Sequence, residues 1–341
     1  MTVEIVPVAG IRCELGEGLH WDAVRQCLWG VDIQGRRVWR WNGSGEGVGL
    51  DRRARSIEPS RVNELSEPGE LCRSSRPISP TAPGEAPAST GLTTWDVAQR
   101  VGWVLPIEGD LDHVLLGLQE GVAYVEVATM AVRQWVARPF SKPSLRLNDA
   151  KADSCGAVWF GSLNNNDENQ SDGCLYRLGV DGDLVTVDTG YKVANGPAID
   201  ATGKIFMHTD SGRRTIYRFD LDVAAGTLSD KRVWKVFTDA EGYPDGMCFD
   251  AEGCLWVAHW GASCISRFAL DGTLLARVDL PTSHTTNVCF GGEGLDRLFV
   301  SSARVGLTEE QLATEPHAGC LFEVIEHGAI GLPSLPARAY V

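Results

Sequence analysis

With 341 residues, 43% of them hydrophobic, the chain can build a large core, and its 38 glycines and 11 tryptophans favour many short strands over long helices. A formal net charge of −14 without any lysine or arginine stripe argues against nucleic acid as a partner, and no run approaches the ~18 apolar residues that cross a membrane. The opening Met1-Thr2-Val3-Glu4-Ile5-Val6 has no basic region followed by an apolar run, so a soluble, cytoplasmic protein is expected.

In chain order, the first segment of interest is Leu15-Gly16-Glu17-Gly18, which reads as a tight loop presenting one carboxylate. Leu28-Trp29 follows as an aliphatic-aromatic anchor entering a strand. From about Gly43 to Gly91 the composition shifts to Arg, Ser, Pro and Glu, as in Arg52-Arg53-Ala54-Arg55, and apolar periodicity ends. Such a segment has too little apolar surface to offset the entropy of ordering, so a disordered insertion is expected there. Gly102-Trp103 is the next anchor, displaced by that insertion. Arg146-Leu147-Asn148-Asp149 comes after it. If this stretch is extended, Arg146 and Asn148 turn toward one ligand and Leu147 toward the interior.

Asp153-Ser154-Cys155-Gly156-Ala157-Val158-Trp159 then opens a phrase that returns at Asp200 to Phe206 and at Asp250 to Trp256, with a looser copy from Gly292 to Phe299. A polar turn, a glycine and an aliphatic-aromatic pair recur every ~43 to 50 residues, the period of one four-stranded propeller blade. Asp181-Gly182 and Asp271-Gly272 separate short apolar runs within the repeats, as hairpins require. With Trp29 and Trp103 the anchors predict an all-β fold, a six-bladed β-propeller occupying residues 1–341 as a single domain. An irregular β-sandwich is the alternative, but it offers no reason for the period.

Ala194-Asn195-Gly196-Pro197 and Tyr243-Pro244-Asp245-Gly246 also read as tight loops, each with one hard oxygen donor. Glu17, Asn195 and Asp245 form a trio that a closed β architecture could bring to a common centre, which suggests a metal site. Taken alone, Asn195-Gly196 and Asp245-Gly246 are equally ordinary turn dipeptides. His208, Asp210 and His259 fall near strand ends, where Asp210 is a candidate supporting or ligand-binding group, while His20 and His259 suit the core. The ten cysteines include no Cys-x-x-Cys pair and are expected as reduced structural thiols; no Gly-x-Ser-x-Gly elbow marks a serine hydrolase.

The order and spacing of Gly16-Glu17-Gly18-Leu19-His20-Trp21, Arg146-Leu147-Asn148-Asp149, Ala194-Asn195-Gly196, Pro244-Asp245-Gly246-Met247 and Thr285-Thr286-Asn287-Val288 resemble the gluconolactonase and senescence-marker-protein (regucalcin) family of six-bladed propellers. The resemblance implies Glu17, Asn195 and Asp245 as ligands of one divalent ion, calcium, magnesium, manganese or zinc, with Arg146 and Asn148 binding the substrate. It implies metal-dependent hydrolysis of a sugar lactone to the sugar acid, with either Asp245 as catalytic base or a metal-bound hydroxide as nucleophile. A non-catalytic propeller that holds the metal and a metabolite as a sensor is the alternative. The loop Gly161-Ser162-Leu163-Asn164-Asn165-Asn166 departs from the acidic side chain common in relatives, and either binds hydroxyls or is a plain turn.

Overall fold

The computed structural model describes residues 3–43, 91–140 and 142–338, so the insertion expected at 43–91 lies outside the described residues except for its flanking glycines. Six four-stranded antiparallel sheets form a ring. Blade 1 comprises Gly16–Asp22, Cys27–Asp32, Arg37–Trp41 and Leu92–Asp96, innermost strand first, and blade 2 comprises Val101–Ile107, Asp110–Leu118, Gly121–Glu126 and Val132–Ala137. Blade 3 runs Leu145–Ala152, Val158–Asn164, Gly173–Leu178 and Leu184–Tyr191; blade 4 runs Ala194–Ile199, Ile205–Asp210, Thr215–Asp222 and Thr227–Val236. Blade 5 is Tyr243–Phe249, Leu255–Trp260, Cys264–Phe268 and Leu274–Asp279. Blade 6 takes Thr285–Gly291, Arg297–Ser302 and Cys320–Ile325, and is completed by Glu4–Arg12 from the start of the chain.

The apolar core is divided as the ring requires. Six buried clusters lie between neighbouring blades, such as Trp29, Val31 and Val38 against Val104, Val114 and Leu116 at the contact of blades 1 and 2. No sheet buries its faces alone, so stacking and closure supply the stability that a single blade lacks.

The repeated phrase has a hydrogen-bonding cause. Asp153 Oδ1 accepts from the amides of Cys155 (2.9 Å) and Ala157 (3.1 Å), while Oδ2 accepts from the Trp159 indole (2.8 Å). Asp250 does the same with Glu252, Cys254 and Trp256, and Asp22 with Val24, Arg25 and Trp29. One carboxylate thus closes the hairpin between the first two strands and fixes the aromatic anchor of the second. Replacing Asp153 with alanine leaves two amides and an indole N–H without their buried acceptor. The expected loss is about 2 to 4 kcal/mol, read by urea unfolding; a loss under about 1 kcal/mol would show that the turn stands without it.

Trp103 departs from the expected pattern. Trp29, Trp159, Phe206, Trp256 and Phe299 sit on second strands, whereas Trp103 is on the innermost strand of blade 2. Its indole occupies the space over Gly117, where an added Cβ would come within 2.2 Å of the ring. The aromatic has moved one strand inward to fill the same interblade layer.

At the end where first and second strands join, the chain's last described residues cross the ring. Ile330 accepts from Ala251 N in blade 5, Gly331 donates to Leu295 O in blade 6, Ala337 bonds both Pro106 and Glu108 in blade 2, and Arg338 donates to Gly156 O in blade 3. Among the described residues, no helix is long and apolar enough to cross a membrane.

Candidate metal and active site

The opposite end of the ring holds the candidate site, and its side chains stand on innermost strands rather than on connecting loops. Pairing of every innermost strand with its neighbour slips near its start: between Glu17 and His20, Val101 and Trp103, Leu147 and Ala150, Asn195 and Ala198, Pro244 and Met247, and Thr285 and Val288. A bulge bends the strand and re-aims its side chains, here toward the ring axis. The glycines that made these segments look like turns serve the bulges: Gly18 and Gly196 have φ of 60° and 55°. Gly246 admits a close approach, since a Cβ there would lie 2.4 Å from the Asn287 amide nitrogen.

Glu17, Arg146, Asn148, Asn195 and Asp245 all line one cavity of about 500 Å³. The Glu17 Oε2 accepts from Gly18 N (3.0 Å) and Asn287 Nδ2 (2.9 Å), and Asn287 also reaches Asp149 Oδ2 at 3.3 Å. Arg146 donates from Nε to Asn165 Oδ1 (3.1 Å) and from Nη1 to Asn148 Oδ1. Asn148 in turn donates to Asn195 Oδ1 and to Ala194 O (2.9 Å), while Asn195 Nδ2 donates to Ser211 Oγ at 3.0 Å. Leu147 points the other way and is buried beside Trp103, the alternation expected of an extended segment. Tyr243 and Trp260 flank the cavity; the Trp260 ring stacks on His284 with centroids 4.0 Å apart.

The electrostatics are unbalanced. Burial, and next the charge of Asp149, push the Glu17 carboxyl up to about 8. Burial first, then Glu17 and Asp149, hold Asp245 well above the usual carboxylate range, and burial raises Asp149 as well. Arg146, itself lowered to about 10 mainly by burial, is the cation that faces them across the cavity. Asp245 Oδ1 and Asn287 Oδ1 are buried without hydrogen-bond partners. Two carboxylates and an amide oxygen, one of them orphaned, form a hard donor set that fits a divalent cation. Among the described residues no group of three or more His, Cys, Asp and Glu side chains is gathered for a metal, so the amide of Asn195 is needed to complete the set.

The remaining candidates separate. Asp210 does not line the cavity: it accepts from the amides of Lys192 and Val193 and is engaged by Arg213, holding the entry to the Asn195 strand. Asp32 does the same ahead of Glu17, accepting from Glu14 and Leu15 at 3.0 Å each. His208 packs edge-on against Tyr191, and His259 bonds Glu241 O at 2.7 Å, so both belong to the core. His20 is buried too, and its Nδ1 is without a hydrogen-bond partner, as are both ring nitrogens of His208 and Nε2 of His259. The amide-rich loop divides its work: Asn165 holds Arg146, and Asn164 closes a turn by accepting from Asn166 N at 3.1 Å. Sequence reasoning missed Glu168, which reaches the cavity wall from that same loop, and the supporting roles of Asp149 and Asn287.

The family described as the SMP-30/Gluconolactonase/LRE-like region matches residues 15–304. Regucalcin of Danio rerio is 34% identical over 342 residues, covering 97% of each chain. Pentonolactonase XacC of Haloferax volcanii is 28% identical over 337 residues, covering 96% of each. The solved structure of a luciferin-regenerating enzyme superposes with a TM-score of 0.81 at 24% identity, covering 99% of this chain and 100% of that one, and so shares the fold. A match across five of the blades and part of the sixth, together with full-length relatives, establishes that the chain belongs to the SMP-30/Gluconolactonase/LRE-like family.

Proposed function

We propose that the protein hydrolyses a sugar lactone to the sugar acid with a divalent cation held by Glu17, Asn195 and Asp245. The observation that carries the reading is the orphaned Asp245 Oδ1, buried beside a second raised carboxylate in a cavity that also presents Arg146 and Asn148. The lactonase named among the relatives supports the substrate class. Calcium, magnesium, manganese and zinc all suit the donors, and the cation, when bound, supplies polarisation of the lactone carbonyl.

The chain's own groups do the rest. Asp245 Oδ1 accepts a proton from the attacking water; the water oxygen bonds to the carbonyl carbon, the ring C–O bond breaks, and the released alkoxide takes that proton back from Asp245. Arg146 donates to substrate oxygens, its guanidinium held in place by Asn165 and Asn148. Tyr243 and Trp260 bound the space in which the ring sits and restrict water. The nine described cysteines are free thiols, five of them buried, which suits the reducing cytoplasm; Cys72 lies outside the described residues.

The test is a pH-stat screen of aldonolactones with metal-stripped and reconstituted protein. Metal-dependent turnover supports the reading, and tight binding without turnover would make the protein a metabolite-binding propeller instead. Arg146→Ala is expected to lower kcat/KM about a hundredfold while metal affinity stays near wild type. Asn148 is different, because it donates to the ligand oxygen of Asn195: Asn148→Ala should disturb metal affinity and substrate use together, measured by metal stoichiometry beside kinetics.

A further inference from the structure

A second pocket, of about 430 Å³, opens beside the catalytic cavity among the connections of blades 1, 2 and 3, and its wall includes Arg36, Arg100, Glu120, Arg138 and Lys142. Four cations and one carboxylate are gathered here on a chain whose formal net charge is −14. Glu120 lies 3.6 Å from Arg138, and Lys142 lies 3.5 Å from Asp172. Arg36 and Arg100 have no carboxylate partner among the described residues. Arg100 is fixed by neutral acceptors instead: Nε donates to Gln34 Oε1 at 3.0 Å and Nη1 to Gln119 Oε1 at 3.3 Å. A guanidinium positioned but not neutralised is suited to bind an oxyanion.

The pocket adjoins the catalytic cavity directly. Gln34 lines the catalytic cavity and accepts from Arg100 of the second pocket, and Leu145 of the second pocket precedes Arg146 of the first. Arg100 is near enough for its charge to act on Arg146. Gathering these cations costs mutual repulsion that a neutral sugar would leave in place and an anion would relieve.

We propose that this pocket is an anion subsite, so that the lactone selected by the neighbouring site carries a phosphate or a second carboxylate away from its ring carbonyl. The reaction invoked rests on the lactonase reading; the anion chemistry of the pocket does not. Because Arg36, Arg138 and Lys142 are exposed, solvent screening keeps each contribution modest, about tenfold for a well-placed guanidinium.

The test compares three lactones of one ring size: a neutral aldonolactone, an aldaric monolactone with a free carboxylate, and a phosphorylated aldonolactone. The expected result is a kcat/KM at least about tenfold higher for an anionic lactone than for the neutral one, arising in KM and shrinking as salt is added. Arg100→Gln and, separately, Arg36→Gln should each lower that ratio about tenfold, and the better of the two anionic lactones identifies the group. Equal use of the neutral lactone, or a ratio that neither variant changes, overturns the subsite while leaving the lactonase reading intact. If no lactone is turned over, calorimetric titration with the phosphorylated aldonic acid reads the pocket alone. Binding weakened about tenfold by Arg100→Gln upholds the subsite without the lactonase reading, and absence of binding overturns it.

Discussion

Asp245→Asn is expected to lower lactone turnover by about a thousandfold and to weaken the divalent cation, whichever of the candidate ions is used. Asparagine keeps the shape and one oxygen donor, so the bulge and its contact with Asn287 survive, but it removes a charge and the proton acceptor at Oδ1. Two losses follow that can be separated. Calorimetry should show weaker metal binding, because one carboxylate and two amides replace two carboxylates and one amide. At saturating metal, kcat should still be depressed, because no amide accepts a proton in the operating pH range. Normal metal-dependent turnover by this variant would remove Asp245 from the mechanism.

The second expected result concerns pH, and its sign depends on the metal. Burial lowers His20 and His208 to about 3 and His259 to about 4, so all three are neutral in the folded chain while the unfolded chain protonates them below about 6.5. Each therefore withdraws stability as pH falls from about 6.5 toward its folded value, by about 1.4 kcal/mol per pH unit once fully developed, or about 4 for the three. In the metal-free protein Glu17 and Asp245 act in the opposite sense. Their folded pKa values are raised, so the native state holds protons that the unfolded state has released, and stability rises as pH falls toward the unfolded value. The two carboxylates offset part of the loss from the three histidines between about pH 6.5 and 4.5. A bound cation keeps the carboxylates ionised and takes their contribution away, leaving the histidines unopposed. Thermal stability should thus fall only gently as pH drops over this range in chelator and fall steeply in saturating calcium, with the cation's stabilising effect largest near pH 8. Parallel profiles with and without the cation would show that these carboxylates do not share a metal.

What could be read from the sequence was local. The Asp-to-Trp phrase around Asp153, Asp250 and Asp22 is a closed hydrogen-bonding unit within seven or eight residues, so it is visible without its neighbours. Trp103 counts as an anchor in the sequence although it stands on an innermost strand, because an interblade layer can be filled from either of two adjacent strands, and an anchor count cannot distinguish them. Glu17, Asn195 and Asp245 were recognisable as oxygen donors, but their setting was read as loops. A bulge with a left-handed glycine has the same local chemistry as a turn, and only pairing with the next strand tells them apart. Asn287 and Asp149 needed the ring itself. They lie 138 positions apart in sequence, and their contact exists because blade 6 faces blade 3 across the axis. Asp210 looked like a site residue through its position at a strand end, and proves to secure the backbone that leads into Asn195.

The strand Glu4–Arg12, which completes blade 6, imposes an order on assembly. Glu4 faces Ile325, so this pairing joins positions about 320 residues apart, the slowest class of contact for a chain to find. The other five sheets each draw on one stretch of chain and can form earlier, while Cys320–Ile325 waits with an unpaired edge. During that wait the Glu4–Arg12 strand of another copy fits the edge equally well. Refolding from denaturant should therefore partition between closed monomeric rings at high dilution and strand-exchanged oligomers at high concentration, set by which copy of one nine-residue strand arrives first.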